Sequence, residues 1–295
     1  MAHIGFIFPG QGSQQVGMGQ ELHESDPGTK KIFDEASEAI RVDLADLCFK
    51  GPRERLDQTI NTQPALLTVS YAFFRYLQKK KPIVPEAVAG HSLGEYSALA
   101  AAGAGNFLDL LKLVRQRASF MQEVEGAMAA VIGLDQSTLS RITGEIGEVW
   151  PVNLNCPGQI VVAGRHSSVE KAMSAAKDAG AKIAKLLNVS IPSHCPLMLE
   201  AAAKLEAQLE KTPLKFPLLP IIQNYSAREP QDLDELKDNL AGQLSSPVRW
   251  EESINRMVAR GIDSFIEIGP GKVLAGLVKR IDRKVSVTNV MEILK

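Results

Sequence analysis

The segment Gly90-His91-Ser92-Leu93-Gly94 has the residue types and spacing of a GxSxG motif. It follows an apolar stretch typical of a strand and precedes an alanine-rich stretch typical of a helix, which is the context of a nucleophile elbow. The glycines permit a sharp turn, and the amide of Leu93 at the start of the helix would face a developing oxyanion. Ser92 is therefore a candidate nucleophile, with a structural turn and an unreactive serine as the alternative.

A serine hydroxyl needs a base before it can act as a nucleophile, and histidine is the usual one. The sequence contains five histidines: His3, His23, His91, His166 and His194. His194 lies at the predicted junction between two domains, where clefts commonly form. His91 is next to Ser92, but adjacent residues on a sharp turn usually point apart, which favours a packing role for it. His194 is therefore the candidate base, with a purely structural histidine as the alternative.

Arg117 lies on a predicted amphipathic helix that Asn106 is expected to cap. The apolar residues of this helix recur at intervals of three and four: Phe107, Leu110, Leu111, Val114, Ala118 and Met121. Arg117 projects along the same apolar stripe, where a guanidinium requires a planar anion. That anion could belong to a substrate or to a protein carboxylate, or the side chain could extend to the rim of a cleft.

The elements that must position these residues alternate between strands and helices, which predicts an α/β fold. Strands are predicted over 4–8, 84–89, 219–223 and 264–268, and helices over 96–102, 197–209, 233–244 and 250–260. The first strand runs into the glycine-rich loop 9–14, which lacks the lysine of a phosphate-binding loop but could donate a backbone amide to an active site. These segments predict a large domain with a parallel sheet.

The middle of the chain has a different order of elements. Strands are predicted over 128–132, 149–154, 159–163 and 182–187, with helices over 136–146 and 168–179 between them. This β-α-β-β-α-β order is typical of a ferredoxin-like unit, and Ser167 with Glu170 predicts a capping box for its second helix. We therefore predict a discontinuous large domain, 1–124 and 190–295, with a small domain inserted at 125–189.

Composition restricts the function further. The 295 residues are 45% hydrophobic with a net charge of −1, which gives no electrostatic reason to expect binding to nucleic acid or an anionic membrane. The three cysteines, Cys48, Cys156 and Cys195, have no CxxC spacing, so neither a disulfide framework nor a zinc site is expected and a cytoplasmic setting is favoured. No basic leader or apolar run long enough to span a membrane is seen.

Seven separated segments together resemble the malonyl-CoA:acyl-carrier-protein transacylase family. They follow one another in order across nearly the whole chain: Phe8-Pro9-Gly10-Gln11-Gly12-Ser13-Gln14, Gln63-Pro64-Ala65, Gly90-His91-Ser92-Leu93-Gly94-Glu95-Tyr96, Arg117 with Met121-Gln122, Asn155 with Pro157-Gly158-Gln159, Pro192-Ser193-His194-Cys195, and Glu267-Ile268-Gly269-Pro270-Gly271. The resemblance implies an α/β-hydrolase-like large domain with a nucleophile elbow and a ferredoxin-like small domain.

The resemblance also assigns roles to individual positions. Ser92 matches the acylated serine and His194 its general base. The family orients this histidine with a main-chain carbonyl, and Gln243 occupies the matching position. The remaining matches are the oxyanion-hole amides of Gln11 and Leu93, the malonyl-binding Arg117, and His91 and Met121 at the substrate pocket.

The implied reaction moves a malonyl group from the coenzyme A thioester to an acyl carrier protein, in fatty-acid or polyketide synthesis. It implies no metal or redox cofactor, and a monomeric enzyme. Two alternatives remain at this point: an acyl hydrolase on the same scaffold, and a noncatalytic protein that binds carrier proteins. The sequence departs from the family pattern at two places: Ala118 stands where many relatives have glycine, and the connection at 123–126 is short. Both affect which acyl chains the pocket is expected to accept.

Overall fold

A computed structural model describes residues 2–294 as two β-sheets surrounded by helices. The strands are β1 Ile4–Phe8, β2 Ala87–Gly90, β3 Ala127–Ile132, β4 Val149–Cys156, β5 Gln159–Gly164, β6 Ile183–Leu186, β7 Ile221–Ile222, β8 Ser264–Glu267 and β9 Ser286–Asn289. The helices are α1 Gln20–Ser25, α2 Pro27–Ile40, α3 Leu44–Phe49, α4 Arg53–Leu56, α5 Thr59–Lys80, α6 Gly94–Ala101, α7 Phe107–Gln122, α8 Gln136–Ile146, α9 His166–Asp178, α10 Leu199–Leu209, α11 Leu233–Gly242, α12 Trp250–Ala259, α13 Val273–Ile281 and α14 Val290–Leu294.

The larger sheet has the strand order β7-β2-β1-β8-β9, and its neighbouring strands run parallel. Its central strand β1 is buried on both faces, as expected of a parallel sheet covered by helices. Phe6 and Phe8 pack in the core formed with α5, α6 and α7, whereas Ile7 packs on the opposite face with residues of α12 and α13. The α/β fold predicted from the sequence is confirmed, and β1 matches its predicted bounds.

The second sheet has the order β4-β5-β3-β6 and is antiparallel throughout. Helices α8 and α9 cover one face, where Leu139 and Val169 are fully buried. The other face packs through Met128 and Val161 against Cys195, close to the loop that carries His194. The predicted β-α-β-β-α-β order is therefore present, while the domain boundaries stay a prediction.

Two capping predictions had different outcomes. The Asn106 cap is confirmed, because its Oδ1 accepts a hydrogen bond from the amide of Leu108 at 2.9 Å. The capping box at Ser167 is wrong: α9 begins at His166, two residues before its predicted start, with Arg165 as its N-cap and no side-chain cap bond. The amide of Arg165 instead donates to the carbonyl of Glu148, the residue before β4, at 3.0 Å, so the N-cap is held by a contact outside the helix.

Some predicted elements are shorter than their apolar stretches. The strand predicted over 84–89 begins only at Ala87, and Val84 is 75% exposed. The strand predicted over 219–223 consists of Ile221–Ile222 alone. In both cases β-bridges form only where a neighbouring strand is within reach. Across residues 2–294 no helix combines the length and apolar character that a bilayer span requires.

Candidate active site

Ser92 lies on a tight turn between β2 and α6. Its φ is +52°, a left-handed conformation that is uncommon for a residue with a side chain. The turn packs against the end of β1 so closely that a Cβ atom added at Gly94 would lie 2.0 Å from the carbonyl oxygen of Phe8. Asn224 braces the turn, since its Oδ1 accepts from the amide of Ser92 and its Nδ2 donates to the carbonyl of Gly90, both at 2.6 Å. This is the geometry of a nucleophile elbow.

The close packing of the elbow leads us to predict that a larger residue at Gly94 lowers the free energy of unfolding. Gly94→Ala is expected to lower the free energy of unfolding by about 3 kcal/mol, because the added methyl group overlaps a backbone carbonyl that cannot rotate away. Gly144→Ala is the matched control, since a Cβ there meets nothing within 4 Å and the position lies inside α8. The control should be stabilised by about 0.5 to 1 kcal/mol. Urea unfolding curves measure both, and equal stabilities would contradict the packing argument.

His194 lies on the loop after β6 and faces the serine. Its Nε2 is 2.8 Å from Ser92 Oγ, and its Nδ1 is 2.7 Å from the main-chain oxygen of Gln243. Because a carbonyl oxygen can only accept, Nδ1 carries the proton and Nε2 is free to accept one from the serine hydroxyl. Burial, together with the positive charge of Arg117, lowers the pKa of His194 to about 3, so the imidazole is neutral.

Arg117 is fully buried on α7. Its Nη1 donates to Gln63 Oε1 at 2.8 Å, and its Nη2 donates to Gln243 Oε1 at 2.9 Å and to Ser92 Oγ at 3.3 Å. Its guanidinium also lies 5.5 Å from the ring centre of Tyr96. Burial lowers the pKa of Arg117 from its usual value. The side chain therefore neither reaches a rim nor forms an ion pair with a carboxylate among residues 2–294.

A cleft of about 270 Å³ opens above Ser92 and His194. Gln11 and Leu93 border it from two sides. The loop that carries Gln11 is held against the elbow, because a Cβ atom added at Gly10 would lie 2.2 Å from the carbonyl oxygen of His91. The role of the Gln11 and Leu93 backbone amides as an oxyanion hole stays a prediction.

Two further predicted residues, Met121 and His91, also border the cleft. The sulfur of Met121 accepts a hydrogen bond from Gln63 Nε2 at 3.4 Å. His91 lies on the same cleft as the serine and also packs against Trp250, with ring centres 5.4 Å apart, while its Nε2 is 2.8 Å from Asn155 Oδ1. Burial lowers the pKa of His91. Contact of these two side chains with a substrate stays a prediction.

Sequence reasoning assigned no role to Gln63, Glu95 or Asn224, which belong to the same hydrogen-bond network. Glu95 is fully buried one turn after the serine and accepts from the amide of Asn224 and from Gln243 Nε2, both at 2.9 Å. Burial raises the pKa of Glu95 to about 7, although these hydrogen bonds act to lower it. Gln63 and Glu95 lie in segments that carry the family resemblance, but Asn224 lies in none and has no local signal.

Fold and site together define a class of protein: an α/β protein in which a serine on a tight turn, a neutral histidine and a buried arginine meet, as expected of a serine acyltransferase. The sequence model of the acyl transferase domain matches residues 5–294. The chain belongs to this acyl transferase family and, within it, to the malonyl CoA-acyl carrier protein transacylases. The resemblance predicted from its motifs is confirmed.

Relatives and solved structures match along nearly the full chain. The malonyl CoA-acyl carrier protein transacylase of Bacillus subtilis (strain 168) is 48% identical, covering 99% of this chain and 94% of the relative. That of Escherichia coli (strain K12) is 47% identical, covering 95% and 93%. The Coxiella burnetii transacylase structure has a TM-score of 0.96 at 44% identity, covering 98% and 94%. A malonyl-transacylase in complex with a type II PKS acyl-carrier protein has a TM-score of 0.95 at 43% identity, covering 98% and 96%.

Proposed function

We propose that this protein transfers a malonyl group from malonyl-CoA to the phosphopantetheine thiol of an acyl carrier protein through an ester on Ser92. The observation that carries this proposal is the meeting of three groups at one atom: Ser92 Oγ lies 2.8 Å from His194 Nε2 and 3.3 Å from Arg117 Nη2. A base and a cation for a carboxylate are thus both available where an acyl ester would form. The names of the relatives support transfer to a carrier protein rather than hydrolysis.

In the first half-reaction, Ser92 Oγ attacks the thioester carbonyl while His194 Nε2 takes the hydroxyl proton. The carbonyl of Gln243 stabilises the imidazolium through the proton on Nδ1. The amides of Gln11 and Leu93 receive the oxyanion. When the tetrahedral intermediate collapses, the carbon–sulfur bond breaks and His194 returns the proton to the departing thiolate of coenzyme A.

In the second half-reaction the same groups act in reverse. The thiol of the carrier's phosphopantetheine gives its proton to His194 and attacks the ester carbonyl. Collapse breaks the bond to Ser92 Oγ, which regains the proton, and malonyl leaves as a thioester of the carrier. Arg117 holds the free carboxylate of the malonyl group throughout, so acyl groups without a carboxylate leave this buried cation unpaired. All protons and electron pairs are accounted for by the chain and its two substrates.

The proposed activity is tested by following labelled malonyl-CoA with and without holo acyl carrier protein. We expect rapid formation of a labelled ester on Ser92, slow loss of the label into buffer, and fast discharge when the holo carrier is added. Apo carrier, which lacks the thiol, should not discharge it. Ser92→Ala is the control and should take up no label. Release of malonate to water at the same rate with and without holo carrier would identify a hydrolase instead.

The proposed setting of the reaction is the cytoplasm. All three cysteines are free and buried, which suits a reducing cytoplasm. Because malonyl carrier thioesters serve both fatty-acid and polyketide synthesis, the identity of the carrier protein decides between these pathways. A comparison of discharge rates with one carrier of each kind tests the choice. The monomeric state stays a prediction.

A further inference from the structure

Arg117 is held on two sides by neutral groups. Both contacts are made by side-chain amide oxygens, Gln63 Oε1 at 2.8 Å from Nη1 and Gln243 Oε1 at 2.9 Å from Nη2. All three residues are essentially fully buried, with 0% to 1% of their surface exposed. A buried guanidinium is more often paired with a carboxylate, which satisfies its charge as well as its hydrogen bonds. Here Nη1 and Nη2 have only neutral acceptors, and Nε has no hydrogen-bond partner among residues 2–294.

The orientation of each amide is determined by what its nitrogen contacts. Gln63 Nε2 donates to the sulfur of Met121 at 3.4 Å. Gln243 Nε2 donates to Glu95 Oε2 at 2.9 Å and to the carbonyl of Ser92 at 3.2 Å. Since these partners are acceptors, the amide oxygens must face the guanidinium. The two glutamines therefore act as an amide clamp, defined here as the side chains of Gln63 and Gln243.

The nearest buried carboxylate stays outside this clamp. Glu95 contacts Gln243 rather than Arg117, and its other oxygen accepts from Gln223 Nε2 at 3.0 Å. It therefore polarises the amide of Gln243 without occupying a guanidinium nitrogen. The two glutamines fix the position of the Arg117 guanidinium, but no carboxylate within residues 2–294 is bonded directly to it.

We infer that Gln63 is a specificity-determining residue, because the neutral amide clamp orients Arg117 but leaves its charge available for the carboxylate of the acyl group. This inference rests on the proposed malonyl transfer. A glutamate at position 63 would have nearly the same shape, yet it would place a carboxylate directly on Nη1. The enzyme would then carry its own competitor for the malonyl carboxylate.

The test compares Gln63→Glu with Gln63→Met, which keeps the length of the side chain but removes the acceptor without adding charge. The measured quantity is the ratio of initial rates of Ser92 ester formation from malonyl-CoA and acetyl-CoA. We expect this ratio to fall about a hundredfold in Gln63→Glu. In Gln63→Met it should fall tenfold or less, since Arg117 loses one neutral acceptor, Met121 loses a weak donor, and no charge is added. The ratio does not depend on the fraction of folded enzyme, so partial unfolding does not obscure the result.

Gln116→Glu is the matched control, because it adds the same charge to the exposed face of α7, the helix that carries Arg117, one residue before the arginine. Its ratio should equal that of the wild type. An equal fall in Gln63→Glu and Gln63→Met, or no fall in either, would overturn the inference about neutrality. Absence of any malonyl label on the wild-type protein would instead overturn the proposed function itself.

Discussion

His194→Ala is expected to slow formation of the malonyl ester on Ser92 by roughly 10² to 10⁴-fold, the range that a positioned general base contributes. The physical reason is that Nε2, 2.8 Å from Ser92 Oγ, is the expected acceptor of the hydroxyl proton. Rapid-quench measurement of ester formation from saturating malonyl-CoA gives the rate directly. A loss of less than about tenfold would contradict the role of His194 as the base.

The pH dependence of the wild-type protein gives a second measurement on the same residue. The pKa of His194 is lowered to about 3, so the imidazole stays neutral when the pH falls through 6.5, where an exposed histidine would become protonated. The acidic limb that His194 sets in kcat/KM should therefore lie well below pH 5. If the acidic limb of the kcat/KM profile lay near pH 6.5, His194 would have to be exposed to water in the free enzyme. His23→Ala is a suitable control, because its ring packs with Phe33 and Phe49 away from the cleft.

Arg117→Ala is expected to change which acyl group the protein accepts. A malonyl carboxylate left unpaired in a buried pocket costs on the order of 2 to 5 kcal/mol, so the preference for malonyl over acetyl should fall by roughly 30-fold or more. Competition between malonyl-CoA and acetyl-CoA for Ser92, followed by mass spectrometry of the acylated protein, measures this preference. Acetyl transfer itself should persist, because the acetyl group makes no use of the guanidinium.

Arg115→Ala is the matched control for this variant. Arg115 lies on the same helix, two residues earlier, and donates to the carbonyl of Ile60 outside the cleft. Removing it deletes a cation of the same type and should leave the preference for malonyl unchanged. If Arg117→Ala loaded malonyl as well as the wild type, another group would have to receive the carboxylate and the assigned role would be wrong.

The bounds of some strands and helices could be predicted from the sequence and others could not, for a physical reason. β1 and α8 match their predicted bounds because their apolar periodicity and the turns that flank them are local signals. The predicted start of α9 was wrong, because its N-cap Arg165 is bonded to Glu148, just before β4, and is not capped by a local side chain. The short β7 likewise depends on its pairing with β2 and not on its own apolar residues.

The sequence by itself determined the parts of the site that are local. It contains the glycines that the elbow of Ser92 requires, because Gly94 has no room for a side chain. It also determined the helix that carries Arg117, through the spacing of that helix's apolar residues. Residue type and short spacing are enough for both, since each depends on the backbone and on neighbours within a few turns.

Only the tertiary structure decided what the cation of Arg117 contacts. Its partners Gln63 and Gln243 are separated from it by 54 and 126 residues along the chain, and no periodicity connects positions so far apart. Their neutral oxygens also could not be foreseen, because a buried guanidinium by itself indicates a carboxylate. The contact with amides depends on how α5, α7 and the end of α11 pack around the elbow, and packing is a property of the folded chain.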